Sequence, residues 1–370
     1  MDYEIFRNIS KIIERDSKAT TYKLALLRGV IDIIQDNSPY IKVEEKRVHF
    51  PTGLLVEKWL MYYYPILEST ISIPQINGTA KLAFEVQFHE IIFSYQSQGG
   101  FSVFYNDLKN NRIPEALHEK FLALSKKLKE TITRMPMRYI GRSISNSFYS
   151  VFQIENQGIS TNSPEIDLEL LINNSGSFSI PLEYYEAFKI LGSFINGQDS
   201  ILFKWAEFSV KASMNQLSVE KVLNEVLRGP ITERETSASK SFYEGILARE
   251  HSVLCVWTGE KITCYDVDHV IPFSVWKNND LWNLLPSTPN INRQKLDKIP
   301  SPAFIESRKQ YISYYWNLIH EFQKERFQKE IRVSLLGYSF TDGWQEQAIK
   351  QLKSRCNYLI SSRGFEEWKI

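Results

Sequence analysis

The sequence predicts an α+β fold: a mostly helical N-terminal region, a middle section of short strands, then a small ββα unit followed by C-terminal helices. Three observations carry this. Apolar residues recur at helical spacing in four stretches of the first 145 residues. Between Arg138 and Lys211, β-branched and aromatic runs alternate with Asn, Gly and Ser clusters, the pattern of strands and turns. Beyond residue 250, a strand-like run ending at a proline, a loop, a second short apolar run and a capped helix follow one another within 50 residues.

The first helix is expected after Thr20-Thr21, over Y-K-L-A-L-L-R-G-V-I-D-I-I-Q. Pro51-Thr52 opens a second, Phe84 to Tyr95 makes a third, and Pro114 opens a fourth. In the middle section F-Y-S-V-F-Q-I, F-S-I-P-L and I-L-F-K-W-A-E-F-S-V read as strands, interrupted by a helix from Glu183 to Phe194. Val219 to Arg228 is a short helix stopped by Gly229-Pro230. The polar run Thr232 to Ser241 reads as a linker, which divides the chain into 1–235 and 236–370. Two terminal helices are expected, the first capped by Ser301 with Pro302 in its first position, the second from about Thr341 to Ile360.

Composition bounds the function classes. The 370 residues are 43% apolar and 24% charged, enough for two or three packed domains. A net charge of +1 provides no global attraction to nucleic acid, so such a surface must be local. The longest apolar run, Trp59 to Leu67, is far short of the roughly 20 residues of a membrane span. Three cysteines (Cys255, Cys264 and Cys356) suggest a reducing compartment without a disulfide framework, and the chain reads as soluble and cytoplasmic.

The chemistry concentrates between Cys255 and Ser301. Tyr265-Asp266-Val267-Asp268-His269-Val270-Ile271 should be a strand ending near Pro272. L-W-N-L-L-P follows as a second strand, and Ser287 or Thr288 caps a helix that carries Asn292 in its first turn. In a regular strand Asp268 and His269 face opposite ways, so the chain must bend there if both serve one phosphate. Asp268 and Asn292 offer hard oxygen ligands, which suit Mg²⁺, with Mn²⁺ an alternative. His269 is then free to act as a general base on water. Asn283 is assigned to the scaffold, pinning the loop that carries His269. Asp266 shares a face with Asp268 and is a candidate to support the ligands from behind.

At these residues the sequence resembles the HNH endonuclease superfamily, most closely the HNH domain of the RNA-guided CRISPR-associated nucleases. Y-D-V-D-H-V-I-P and I-N-R-Q-K-L-D-K-I-P-S carry the likeness, which covers residues 255–301 only. The resemblance implies a ββα-metal nuclease with Asp268 and Asn292 as metal ligands, His269 as the base and Asn283 as the central Asn. It also implies products with a 5′-phosphate and a 3′-hydroxyl. Guide-directed cleavage is not carried over, because the rest of the chain shares nothing with those effectors. Many HNH proteins add two Cys-x-x-Cys pairs that bind zinc. Here Thr258 stands where the partner of Cys255 would be, so no structural zinc is expected.

Lys277, Arg293, Lys295 and Lys298 are candidates to grip phosphates of the substrate. A larger basic stretch lies upstream, with nine Lys or Arg against three Glu between Leu108 and Ile144. Trp257, Trp276 and Trp282 are assigned to the core of the small domain rather than to base stacking. The other five histidines (His49, His89, His118, His251 and His320) have no partner pattern. The expectation is therefore a Mg²⁺-dependent endonuclease acting on DNA, in a prokaryotic restriction or anti-phage setting. Residues 1–235 would serve as a recognition, regulatory or partner-binding region. A homodimer or a defence-complex partner would supply a second cut. Two alternatives stand beside it: an RNA-cleaving toxin-type nuclease, and a nucleic-acid-binding subunit activated only by a partner.

Overall fold

Two apolar centres organise the chain in the computed structural model, which describes residues 3–78, 80–141, 151–156, 166–196, 201–338 and 340–369. The first unit comprises Met1–Asp36 and Ile41–Ile231, the second Asn37–Tyr40 and Thr232–Ile370. Among the described residues no helix is long and apolar enough to cross a membrane.

In the first unit α1 (Tyr3–Arg15) precedes α2 (Tyr22–Gln35), whose Leu24, Ala25, Leu26, Val30 and Ile31 are all fully buried. A helix apolar on nearly every side belongs in the middle of a core. Strands β1 (Lys42–Val43) and β2 (Arg47–Pro51) then lead into α3 (Thr52–Glu68), which buries Trp59, Tyr63 and Tyr64. Helices α4 (Glu85–Tyr95), α5 (Gly100–Lys109), α6 (His118–Arg134) and the short α7 (Pro136–Tyr139) follow. The remainder is β3 (Gln153–Asn156), α8 (Leu168–Asn174), β4 (Ser177–Pro181), α9 (Leu182–Asn196), α10 (Ile201–Ala212) and α11 (Val219–Val226).

The four strands form an antiparallel sheet in the order β1-β2-β4-β3. Its central pair is nearly self-symmetric. Arg47 faces Pro181 and Pro51 faces Ser177, so each strand closes on a proline and passes directly into a helix. Proline lacks the ladder donor and so stands at a strand's end. Phe50 and Phe178, opposite each other, stack at 5.2 Å.

The middle section differs from the sequence reading at two helices, α8, which was not expected, and α10. I-L-F-K-W-A-E-F-S-V is helix α10, not a strand. Its buried residues Ile201, Trp205, Ala206 and Ser209 fall on one helical face, and Trp205 Nε1 donates to Gln75 Oε1 at 2.6 Å. High β propensity lost to that burial pattern. F-S-I-P-L is β4, whereas F-Y-S-V-F-Q-I lies partly outside the described residues and contributes Gln153 and Ile154 to β3.

The second unit starts with residues 232–236, which belong to no helix or strand. Helix α12 (Ser237–Glu250) already begins inside the polar run. The short strands β5 (Val253–Leu254) and β6 (Lys261–Ile262) form a hairpin, and Gly259 turns it at φ +79°, where a Cβ would meet the Tyr311 hydroxyl. Next come β7 (Asp266–His269), α13 (Phe273–Trp276), β8 (Leu284–Ser287) and α14 (Pro289–Lys295). Strand β9 (Ile299–Pro300), α15 (Pro302–Phe322), α16 (Lys324–Ile331), α17 (Trp344–Ser361) and β10 (Glu367–Trp368) complete the unit. Ser301 caps α15 by accepting from Phe304 N at 3.1 Å.

Its core is aromatic. Trp257, Trp282 and Trp316 are fully buried; Trp257 stacks on Phe304 at 5.7 Å, and Trp316 Nε1 donates to the Trp282 carbonyl at 2.8 Å. Cys255 and Cys356 are buried in the same unit, while Cys264 is exposed. Asn37–Tyr40 joins this unit through the Asn37 carbonyl, which accepts from Gln351 Nε2 at 3.0 Å and Arg355 Nη2 at 3.2 Å.

Candidate active site

Strands β7 and β8 pair antiparallel, with Asp266 opposite Ser287 and His269 opposite Leu284. Strand alternation places Asp266 and Asp268 on one face of this ribbon. Helix α14 lies on that face. Thr288 caps it by accepting from Ile291 N at 3.3 Å, and Pro289 occupies the first turn. Asn292 and Lys295, three residues apart, therefore share a side of the helix. Asn292 Nδ2 donates to Asp266 Oδ2 at 3.0 Å, and Lys295 Nζ meets Asp268 Oδ1 at 2.9 Å.

The two carboxylates thus have different surroundings. Asp266 and Asn292 are half-buried, and Asn292 Oδ1 is not used in their contact. Asp268 is buried, and its second oxygen accepts from Trp257 Nε1 at 2.7 Å. Lys295 is fully buried and also donates to the His269 carbonyl. Burial holds its ammonium below the usual lysine range, against the pull of Asp268. This corrects the expectation for Lys295: an ammonium enclosed beside Asp268 cannot also grip a phosphate at the surface. Of the two carboxylates it is Asp266, not Asp268, that touches Asn292.

His269 is the last residue of β7. Its ring is buried 5.5 Å from the Phe273 ring, with Nε2 3.4 Å from Asn279 Oδ1 and a buried, unpartnered Nδ1. Burial, then the cations Arg234 and Lys295, push its pKa down to about 4. The imidazole is therefore neutral near pH 7, the form a general base needs. The contact with Asn279 Oδ1 calls for a proton on Nε2, which leaves the lone pair on Nδ1.

Asn283 is fully buried and fixes the bend after His269. Its Oδ1 accepts from Ile271 N at 2.8 Å, its Nδ2 donates to Ile271 O at 3.1 Å, and its carbonyl accepts from Val270 N at 2.7 Å. The loop beyond is tied through Asp280, which accepts from Asn278 Nδ2 (2.7 Å), Trp282 Nε1 (3.1 Å) and Ser334 Oγ (2.7 Å). Glu330 accepts from Leu281 N at 2.7 Å; burial and then Asp280 push its carboxyl up to about 7.

Of the other predicted phosphate contacts, Lys277 and Arg293 are exposed. Lys298 pairs with Glu366 at 2.5 Å. The upstream basic stretch maps largely to α6, where Lys120, Lys126 and Arg134 are exposed; Arg142 lies outside the described residues. Among the described residues no three His, Cys, Asp or Glu side chains gather to hold a metal. The oxygen atoms of Asp266, Asp268 and Asn292 are of the hard-ligand type that binds divalent cations.

Sequence reasoning placed Trp257 in the core, where it lies, but missed its bond to Asp268, missed Asn279 and Arg234, and read the buried Lys295 as a surface contact. The spacing of Lys295 from Asn292 was a readable signal, because i and i+3 share a helix face. Trp257, Asn279 and Arg234 come from three separate segments, and no local pattern joins them.

Residues 255–301 match the family described as HNH endonuclease, which makes this segment an HNH nuclease domain and nucleic acid its substrate. HNH nucleases work with a divalent metal ion. Residues 2–226, more than half of the chain, match the family described as "Domain of unknown function (DUF8808)", and the chain belongs to that family. No curated protein matches the chain.

Proposed function

We propose that the protein is a Mg²⁺-dependent endonuclease that hydrolyses DNA, leaving a 5′-phosphate and a 3′-hydroxyl. The observation that supports this most is the contact of Asn292 with Asp266 on the ribbon that ends at a neutral His269 with an unpartnered Nδ1. The residues that would hold the ion are Asn292, Asp266 and Asp268, the last through the oxygen now neutralised by Lys295. A bound divalent ion supplies charge stabilisation at the phosphate and at the leaving oxygen. His269 takes the proton of the attacking water on Nδ1, and Asn283 keeps the bend that presents it. One ββα site cuts one strand, so a double-strand break calls for a second copy or a second event.

The proposal includes a role in restriction or anti-phage defence, with residues 1–235 recognising the target or a partner. The burial of both Asp268 and His269 favours one refinement: cleavage requires local opening, which a partner or the substrate would bring about.

The purified full chain, incubated with matched DNA and RNA in Mg²⁺, Mn²⁺ or EDTA, tests this. Metal-dependent cutting of DNA with 5′-phosphate ends is expected. Cutting of RNA alone would replace the reading with a toxin-type ribonuclease.

A further inference from the structure

We infer that Arg234, in the segment that enters the nuclease unit, binds a backbone phosphate of duplex DNA beside the cleavage site, and that Asn279 holds both this segment and His269 in place. This rests on the nuclease reading above.

The geometry starts from Asn279. Its Nδ2 donates to the Glu233 carbonyl at 2.8 Å, and its Oδ1 accepts from Glu235 N at 3.0 Å. One side chain thus grips the backbone on both sides of Arg234, as a neighbouring strand would. The same Oδ1 lies 3.4 Å from His269 Nε2, within reach of its second lone pair. The Arg234 segment and the general base therefore share one anchor.

Arg234 itself is exposed, and its Nη2 reaches the Val267 carbonyl at 3.3 Å. Val267 sits between Asp266 and Asp268 on β7. That bond uses one of five guanidinium donors. Among the described residues no carboxylate forms an ion pair with Arg234, whereas Lys295 is committed to Asp268 and Lys298 to Glu366. Arg234 also lies close enough to disfavour a positive charge on His269. Lys295 offsets the charge of Asp268, but among the described residues no cation pairs with Asp266, so a phosphate that approaches this strand is favoured by a further cation beside it. A planar guanidinium can take two phosphate oxygens at once.

The competing assignment is a purely structural one, in which Arg234 only ties the segment to Val267. Salt dependence separates the two. Binding of the full chain to a fluorescent DNA duplex is measured in EDTA over a range of salt concentrations, with thermal melting of each variant alongside. Each phosphate contact on B-DNA contributes roughly 0.9 to the slope of log K against log salt. R234Q keeps a donor for Val267 but loses the charge. It should lower the slope by about 0.9 and weaken binding about tenfold at moderate salt, with melting unchanged. R234K should keep the slope. N279A should lower affinity, and R234Q/N279A should be no weaker than R234Q alone, because Asn279 acts through Arg234.

A slope in R234Q equal to that of the unsubstituted chain overturns the inference, as does a chain that binds no duplex DNA. Failure of the nuclease reading looks different: the unsubstituted chain binds DNA with the R234Q-sensitive slope but cuts neither DNA nor RNA in any metal.

Discussion

Lys295 and Asp268 form an ion pair at 2.9 Å in which both side chains are almost wholly removed from solvent. The pair joins α14 to β7, and the same ammonium reaches the carbonyl of His269. The helix bearing Asn292 and the strand bearing His269 are thus fixed by one buried charge on each side.

Breaking this pair should cost more than its surface position in the sequence suggests. K295A leaves the Asp268 carboxylate buried without its cation, a loss of about 3–5 kcal/mol. R293A, on the exposed side of the same helix, should change stability by less than about 0.5 kcal/mol. Urea unfolding of both variants checks this, and equal stabilities would mean that Asp268 finds another partner.

His269 carries the proposed proton transfer, so H269A should lower the cleavage rate by about 10²–10⁴-fold. Because its ring touches Asn279 and Phe273 but no proposed ligand side chain, Mn²⁺ affinity should stay within about twofold. Calorimetric Mn²⁺ titration alongside single-turnover cleavage reads both. Unimpaired cutting by H269A would remove it from the chemistry.

Much of the nuclease unit was legible because its signals are local. Thr288-Pro289 and Ser301-Pro302 each announce a helix start, and both caps form as the residue types require. The central Asn283 has the scaffold contacts that its place in the chain suggested. Most of what escaped was non-local or contradicted propensity. The aromatic, β-branched run of α10 is helical because one face finds the core around Trp205. Lys295 looked like a surface cation because its place three residues after Asn292, on the same side of α14, was not used. The partner of Asp268 across the core, Trp257, lies in the hairpin before β7, and only folding brings the two together.

The proposed metal ligands can be separated by their burial. D266N removes a charge from the half-buried pair with Asn292 and should weaken Mn²⁺ binding at least tenfold with little loss of stability. N292A should do the same. D268N should instead destabilise the unit by about 3–5 kcal/mol, since Lys295 would keep a buried charge without its counterion. Titration calorimetry and thermal melting, run on the same three variants, assign the roles. Full Mn²⁺ affinity in D266N would restrict the ligands to Asn292 and Asp268.

Glu330 should give the nuclease unit an unusual pH dependence. Its carboxyl is pushed up to about 7, chiefly by burial and next by Asp280. Between the ordinary value near 4.5 and about 7, the folded chain keeps a proton that the unfolded chain releases. By linkage, the stability this proton confers is fully present below pH 4.5 and is lost as pH rises through 7. The whole effect is on the order of 3 kcal/mol. E330Q keeps an acceptor for Leu281 N but cannot ionise, so its stability should vary less across that window and exceed that of the unsubstituted chain at pH 8. Chemical unfolding at half-unit pH steps measures the difference, and parallel curves for the two chains would show that the Glu330 carboxyl ionises freely in the folded state.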